Sequence, residues 1–210
     1  MKSSSASPWA LILAAGESRR FGSQKLLAPL HGRPLIGWTM AALETARARG
    51  LVGGVLVVVR AKDHELRQSL QPGVDRVVRP AGSAPALSDS LRAGIAALAS
   101  RDTPVVPAVL ICLADQPGLR PDVIAALVND WRSGKGLVLR PRYADQPDEP
   151  GHPLLLDRSA WPMVETLQGD VGLGAALKGG DQPVHYVEVA GGNPDIDRPG
   201  DLVAVQNRPG

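Results

Sequence analysis

The chain has 210 residues, 44% of them hydrophobic and 21% charged, the composition of an ordinary soluble globular protein with one sizeable core. A formal net charge of +2, without a Lys/Arg tract along any helical stretch, leaves no coat for nucleic acid, and the single Cys112 excludes an intrachain disulfide framework and fits a reducing compartment, the cytoplasm. No apolar run reaches about 18 residues, and the early run Trp9 to Ala15 ends in a charged loop rather than a small-residue cleavage site, so neither a membrane span nor a signal peptide is expected.

In chain order, residues 1–7 are polar and are expected to be a flexible tail, as are residues 207–210. A strand at Leu11 to Ala14 runs into a loop carrying Arg19, Arg20 and Lys25. His31, in LHGRP, belongs to a hairpin that leads to a helix from about Pro34 to Arg49. Pro34 suits the first turn of that helix and Gly50 its C-cap. Val52 to Val59 reads as a strand, Leu66 sits in a short helix, Val74 to Val78 is a strand, and Ser90 to Leu98 is helical. Ala108 to Leu113 is a buried strand followed by a helix from Pro121. Arg140 to Pro150, rich in proline and charge, reads as an exposed loop. The repeated βα units predict an α/β fold with a largely parallel sheet covered on both faces, in one domain over residues 1–210.

Ligands of such sheets gather beyond the carboxyl ends of the strands, and three segments fall there. Gly16 follows the first strand directly, so backbone N–H groups can approach an anion while Arg19 and Lys25 add positive charge. This loop is a phosphate cradle but not a Walker A loop: Gly16 and Gly22 stand one residue too far apart, and Lys25 does not follow the second glycine. Nor is it the Gly-x-Gly-x-x-Gly dinucleotide fingerprint. In LICLADQPG, Asp115 at the end of a buried strand is either a turn-forming residue or a hard-oxygen ligand for Mg²⁺. In NPDIDRPGDL, Asp195 and Asp197 share a face of an extended stretch, and Asp197 could complete a two-carboxylate clamp with Asp115, whereas Asp201 falls on the solvent side of a last helix.

LAAGESRRFGSQK resembles the LAAGxSxRxGxxK signature of nucleotidyltransferases, and LADQP, GHP (Gly151 to Pro153), QGD (Gln168 to Asp170) and DIDRPGDL are similar, in order, to later motifs of the molybdenum cofactor cytidylyltransferases. Ala14-Ala15-Gly16 resembles the cytidylyl-transferring members, whereas guanylyl-transferring relatives usually read Ala-Gly-Gly. The chain departs from the family pattern at Asp89 in SDSLRAG, in RPAGSAPA, which lacks an Asn, and in GDVGLG, which lacks an Arg.

The resemblance implies a Rossmann-like three-layer nucleotidyltransferase fold with a mostly parallel sheet. It implies Mg²⁺-dependent transfer of CMP from CTP to the phosphate of molybdenum-bound molybdopterin, giving molybdopterin cytosine dinucleotide and pyrophosphate, with a recipient molybdoenzyme as a further partner. The implied catalytic residues are Arg19, Lys25 and Asp115, with Asp115 and Asp197 for the metal. Leu13, Ala14, Ala15, Gly16, Gly82 and Ser90 would meet the nucleotide, and Gly151, His152, Pro153 and Asp170 the pterin substrate. Ser90 could instead cap its helix, and Asp170 simply begin the next one. Cys112 and Trp161 read as core residues. Displacement at phosphorus needs positioning and charge neutralisation rather than a covalent nucleophile. A transferase for GTP or a sugar phosphate, and a cofactor carrier with little turnover, are the alternatives.

Overall fold

The computed structural model describes residues 7–18, 21, 24–70, 73–82, 85–100, 105–179 and 182–206. Strand β1 (Trp9–Leu13) is followed, after a 3-10 turn at Lys25–Leu27, by a small hairpin of β2 (Pro29–Leu30) and β3 (Arg33–Pro34). His31 and Gly32 form its turn at φ of 49° and 76°, the positive values that a two-residue hairpin connection requires. There follow α1 (Leu35–Ala48), β4 (Gly54–Val58), α2 (His64–Ser69), β5 (Arg76–Val78), α3 (Leu87–Ala99) and β6 (Ala108–Leu113). The rest comprises α4 (Pro121–Arg132), β7 (Val138–Tyr143), β8 (Leu154–Asp157), α5 (Pro162–Glu165), α6 (Leu173–Gly179), β9 (Val184–Val189) and α7 (Pro199–Gln206).

Seven strands make one sheet in the order β5-β4-β1-β6-β8-β7-β9. The half from β5 to β6 is parallel throughout, β8 runs antiparallel to both β6 and β7, and β9 returns parallel to β7. Strand periodicity divides the core into two layers. Ala10, Ile12, Val55 and Val57 point to the face covered by Leu43 of α1 and Leu127 and Trp131 of α4. Leu11, Leu56 and Val58 point to the other, covered by Leu91 and Leu98 of α3 and by Trp161 and Val164. The result is the expected three-layer sandwich. Gly94 lets α3 come close to the sheet, since a Cβ there would lie 2.5 Å from Leu11 Cδ1.

Helix α1 buries Leu35, Ile36, Thr39, Ala42, Leu43 and Ala46, the spacing of one helical face. It ends in a Schellman motif: Leu51 N–H donates to Ala46 O (3.0 Å) and Gly50 N–H to Arg47 O (2.9 Å), with Gly50 at φ 68°. Arg49 is the C-cap itself and Gly50 the residue after it.

Several sequence expectations shift. Pro34 is the N-cap of α1 and closes β3 rather than entering the first helical turn, β4 begins at Gly54, β5 at Arg76, and α3 starts earlier, at Leu87. The largest correction is at Arg140 to Pro150. Its first four residues belong to β7, where Arg140 and Tyr143 are buried, and only the remainder is a turn-rich loop. Charged and proline residues hid a strand that pairs along its whole length with β9 and at Val138 and Leu139 with β8. Of the expected tails, residues 1–6 and 207–210 lie outside the described residues. Ser7 is tied down, its hydroxyl donating to Gly50 O (2.8 Å) and accepting from Arg132 (3.2 Å).

Candidate active site

Because β4 and β6 flank β1 on opposite sides, the connections leaving β1 and β6 diverge and open a crevice at their carboxyl ends. A cavity of about 590 Å³ lies there. Its wall is built from Leu13 to Ser18 after β1, from Pro85 to Leu87 and Ser90 at the start of α3, and from Leu113 to Asp115 after β6, with Lys25, Leu26, Asp170 and Asp197. The Ala114 N–H donates to Leu13 O (3.2 Å) and the Ala14 N–H to Val58 O (2.9 Å), extending the sheet bonds into the cavity rim. A Cβ on Gly16 would meet nothing within 4 Å, so the backbone at this point faces open space in which a ligand can approach it closely.

Three charges meet inside. Lys25 Nζ lies 2.7 Å from Asp115 Oδ2 and 3.4 Å from Asp197 Oδ1, although the segments are far apart in sequence. Each is held from behind. Lys25 starts the 3-10 turn and is only 8% exposed. Asp115 lies two residues beyond β6, and its carbonyl accepts from the Ile196 N–H (3.0 Å), while the Ile196 side chain is fully buried against Leu30, Leu35 and Leu202. Asp201 accepts from the N–H groups of Asp197 (2.8 Å) and Arg198 (2.7 Å), which fixes the backbone that carries Asp197 and starts α7. Those two N–H groups also hold the Asp201 carboxyl below its ordinary range.

Asp115 and Asp197 fit a divalent metal. Two carboxylate oxygens converge on Lys25 Nζ, which balances them, and magnesium is commonly held by one or two carboxylates together with substrate phosphate oxygens. Among the described residues, no group of three or more His, Cys, Asp or Glu side chains is placed to hold a metal ion, so an ion held by Asp115 and Asp197 would need further ligands from substrate.

Asp195 and Asp197 both stay exposed on either side of the buried Ile196, and the Gln116 Nε2 donates to Asp195 Oδ1 (2.8 Å) while Asp197 meets Lys25. Partial desolvation by burial, and next the negative charge of Asp115, raise the Asp195 carboxyl above the usual range.

The remaining sequence-derived residues divide into two groups. Leu13, Ala14, Ala15, Gly16, Ser90 and Asp170 line the cavity. Ser90 is not the cap of α3: its hydroxyl donates back to Ala86 O (3.3 Å), and the N-terminus is served by Asp89, which accepts from Ala86 N–H (3.0 Å). The departure at Asp89 therefore has a structural use. Asp170 accepts from Leu87 N–H (3.3 Å), across the cavity mouth, and does not begin α6. Gly82 (φ 88°), Gly151, His152 and Pro153 are not part of the cavity wall. Arg19 lies outside the described residues.

The His152 turn belongs to a second, buried assembly. Arg140 donates to the carbonyls of Gly151 (3.2 Å) and Pro150, while Tyr143 OH donates to His152 O (2.8 Å). The His152–Pro153 peptide is cis. Burial, and then the Arg140 guanidinium, lower the imidazole to about 4 and keep it neutral. Asn193 Nδ2 donates both to His152 O (3.3 Å) and to Gln116 Oε1 (3.2 Å), joining this turn to the residue beside Asp115. Sequence reasoning missed Gln116, Asn193 and Arg140. Gln116 sits within the LADQP motif and could have been weighed with its neighbour, but nothing in the sequence pairs it with a residue 77 positions away. Cys112 is a core residue, its thiol pushed up by burial, and Trp161 likewise packs in the core.

A three-layer sheet with a charged crevice at its topological switch point, a glycine-bearing loop and a carboxylate pair facing a lysine defines a phosphate-handling α/β protein. Residues 10–186 match the MobA-like NTP transferase domain, and the chain belongs to this family of nucleotidyltransferases. It is 31% identical over 144 residues to a probable molybdenum cofactor guanylyltransferase of Pyrococcus horikoshii, covering 68% of this chain and 66% of that protein. It is 30% identical over 177 residues to the nicotine blue oxidoreductase of Paenarthrobacter nicotinovorans, covering 80% of each. Among solved structures, Rv0371c from Mycobacterium tuberculosis H37Rv superposes with a TM-score of 0.78 at 25% identity, over 97% of this chain and all of that one. The same protein is also known as a complex with manganese, at a TM-score of 0.74 and 24% identity, over 96% of this chain and 98% of that one. Among the described residues, no helix is long and apolar enough to cross a membrane.

Proposed function

We propose that the chain is a cytidylyltransferase that moves CMP from CTP to the phosphate of molybdenum-bound molybdopterin and releases pyrophosphate, with Mg²⁺ held by Asp115 and Asp197. The observation that carries the reading is the charge set at the crevice: Lys25 between two carboxylates, beside the open backbone at Gly16. A bare nucleotide carrier has no use for a carboxylate pair that would repel its ligand. CTP brings about four negative charges and the attacking phosphate is anionic, so approach demands compensation. When bound, the metal ion supplies positive charge to the phosphate oxygens. Lys25 places its ammonium against the same oxygens, the N–H groups around Gly16 point into the anion, and Ser90 and the alanine pair shape the nucleobase end.

Base choice rests on Ala15. This residue is 4% exposed, lines the cavity and belongs to the apolar cluster that includes Leu11 and Leu91, so its methyl group takes up space that a glycine would leave open. A two-ring purine then fits less well than cytosine. The relative from Pyrococcus, named for guanylyl transfer, keeps GTP as the competing substrate. The relative from Paenarthrobacter, named as an oxidoreductase, makes hydride transfer a reading to test as well. The carboxylate–lysine pair favours phosphate chemistry.

The deciding experiment measures pyrophosphate release from each of the four ribonucleoside triphosphates with Mg²⁺, with and without molybdenum-bound molybdopterin, alongside oxidation of reduced nicotinamide cofactors with nicotine blue. Release from CTP that depends on the pterin supports the proposal. Preference for GTP moves the assignment to guanylyl transfer, and cofactor oxidation without pyrophosphate release overturns it.

A further inference from the structure

We infer that Asn193 is a positioning residue that locks the His152 turn and the Gln116–Asp195 pair into one unit, so that the acceptor side of the site and its metal end move together. The acceptor and metal labels rest on the function proposed above; the mechanical coupling does not.

Asn193 is 5% exposed and Gln116 6%. Both N–H bonds of the Asn193 amide are used, one to His152 O and one to Gln116 Oε1. The second of these sets the direction of the Gln116 amide. With its oxygen toward Asn193, its nitrogen faces Asp195 at 2.8 Å. Reversing that amide would place N–H against N–H at Asn193 and oxygen against carboxylate at Asp195. Gln116 then anchors Asp195, and the Asp195 carboxylate is kept on Gln116 while Asp115 and Asp197 ion-pair with Lys25. Packing holds two of these segments together. A Cβ on Gly118 would lie 2.8 Å from Gly192 O and 3.0 Å from Asn193 Oδ1, so the turn after Gln116 is pressed directly against the Gly192–Asn193 backbone.

One detail separates positioning from simple stability. The two donors of Asn193 run to different segments, so losing them changes how those segments are held relative to each other as well as how tightly the chain folds. Leucine has nearly the shape of asparagine but carries neither donor, so Asn193→Leu removes the coupling and leaves Gln116 Oε1 without its bond from Asn193, while His152 O keeps the one from Tyr143. Asn193→Asp keeps the shape but turns an oxygen toward His152 O and Gln116 Oε1, which favours the reversed Gln116 amide and sets Gln116 against Asp195.

The test compares the full chain with Asn193→Leu, Asn193→Asp and Gln116→Leu by hydrogen exchange and by steady-state kinetics with CTP, Mg²⁺ and the pterin. In Asn193→Leu, exchange should rise together in residues 150–154 and 193–197, with kcat reduced roughly tenfold and the KM for nucleotide within about twofold. Asn193→Asp should lose more turnover than Asn193→Leu. Gln116→Leu, which keeps the bond from Asn193 to His152 O, should loosen 193–197 and leave 150–154 protected, and it decides the matter if the Asn193 variants do not fold. Unchanged exchange, a rise in one segment only for Asn193→Leu, or turnover of Asn193→Asp equal to the parent overturns the inference. A parent that releases no pyrophosphate from any triphosphate sinks the proposed function instead, and the exchange pattern still decides the coupling.

Discussion

At the carboxyl ends of β1 and β6 the chain leaves charge in contact with solvent: the Asp197 side chain is 54% exposed and that of Asp115 25%, around a lysine at 10%. A short distance along the same edge, the assembly of Arg140, Tyr143, His152, Asn193 and Gln116 is closed, with its donors spent on carbonyls and amides of the chain itself. The first region is completed by whatever enters it. The second is nearly complete already, and it shapes its neighbour. Substitutions in the open cluster should therefore reduce turnover and spare the fold, whereas perturbing the closed one should lower stability as well as turnover.

The sharpest way to break this contrast is Asp115→Asn. The amide keeps size and hydrogen bonding but removes one of the two carboxylates at Lys25, so turnover should fall by a factor on the order of a hundred or more while the thermal midpoint changes little. Steady-state rates across a Mg²⁺ titration check this; parental turnover at limiting Mg²⁺ would remove Asp115 from the metal site.

Lys25→Ala comes next. Its ammonium touches both carboxylates and faces the cavity, so its loss should be larger where charge accumulates during transfer than in ground-state binding. A fall in kcat of about thirtyfold, with nucleotide KM changed by less than about threefold, is the expected split. If only KM rises, Lys25 is a docking charge and the open cluster loses its catalytic character.

The closed region is probed by pH. The His152 imidazole is lowered from 6.5 to about 4, so between these values the unfolded chain binds a proton that the folded chain excludes. Stability from this group is present above about pH 6.5 and is lost as pH falls toward 4, amounting to about 2 kcal/mol between pH 7.5 and pH 5. Denaturant unfolding at the two pH values measures it. His152→Gln, which carries no titrating ring, should flatten that part of the profile; an unchanged slope would show that the buried turn does not exclude the proton.

The same contrast explains what the sequence could reveal. β1, β4 and β6 are short apolar runs buried on both faces, and a central parallel strand leaves that signature regardless of what lies next to it. Lys25 and Asp115 were legible because they follow β1 and β6 in motifs with their own spacing, and Asp197 because it falls in the motif that leads into α7. β7 was not, because VLRPRY carries two arginines and a proline, and its burial depends on β8 and β9 arriving from later in the chain. Asn193 was invisible for a related reason. Its partners are a carbonyl at His152 and an amide at Gln116, and neither contact leaves a pattern in the residues around it.

The smallest expected effect tests the boundary of the open region. Gly16 sits at the cavity wall, its φ lies outside the left-handed range, and a Cβ there meets no protein atom within 4 Å, so Gly16→Ala should fold as the parent does. Any penalty must then come from the ligand. A methyl group between the loop backbone and a phosphate would hold the N–H donors away from it, weakening one or two charge-assisted hydrogen bonds by about 1 kcal/mol in total, or five- to tenfold in nucleotide affinity. Because the same donors serve ground state and transition state, kcat should move less than KM, the reverse of Lys25→Ala. Calorimetric titration with CTP and Mg²⁺, paired with thermal unfolding of the unliganded variant, separates the two contributions. Unchanged affinity would show that phosphate does not rest on this stretch of backbone, and an unfolding midpoint several degrees lower would show that the space around Gly16 is needed by the fold itself.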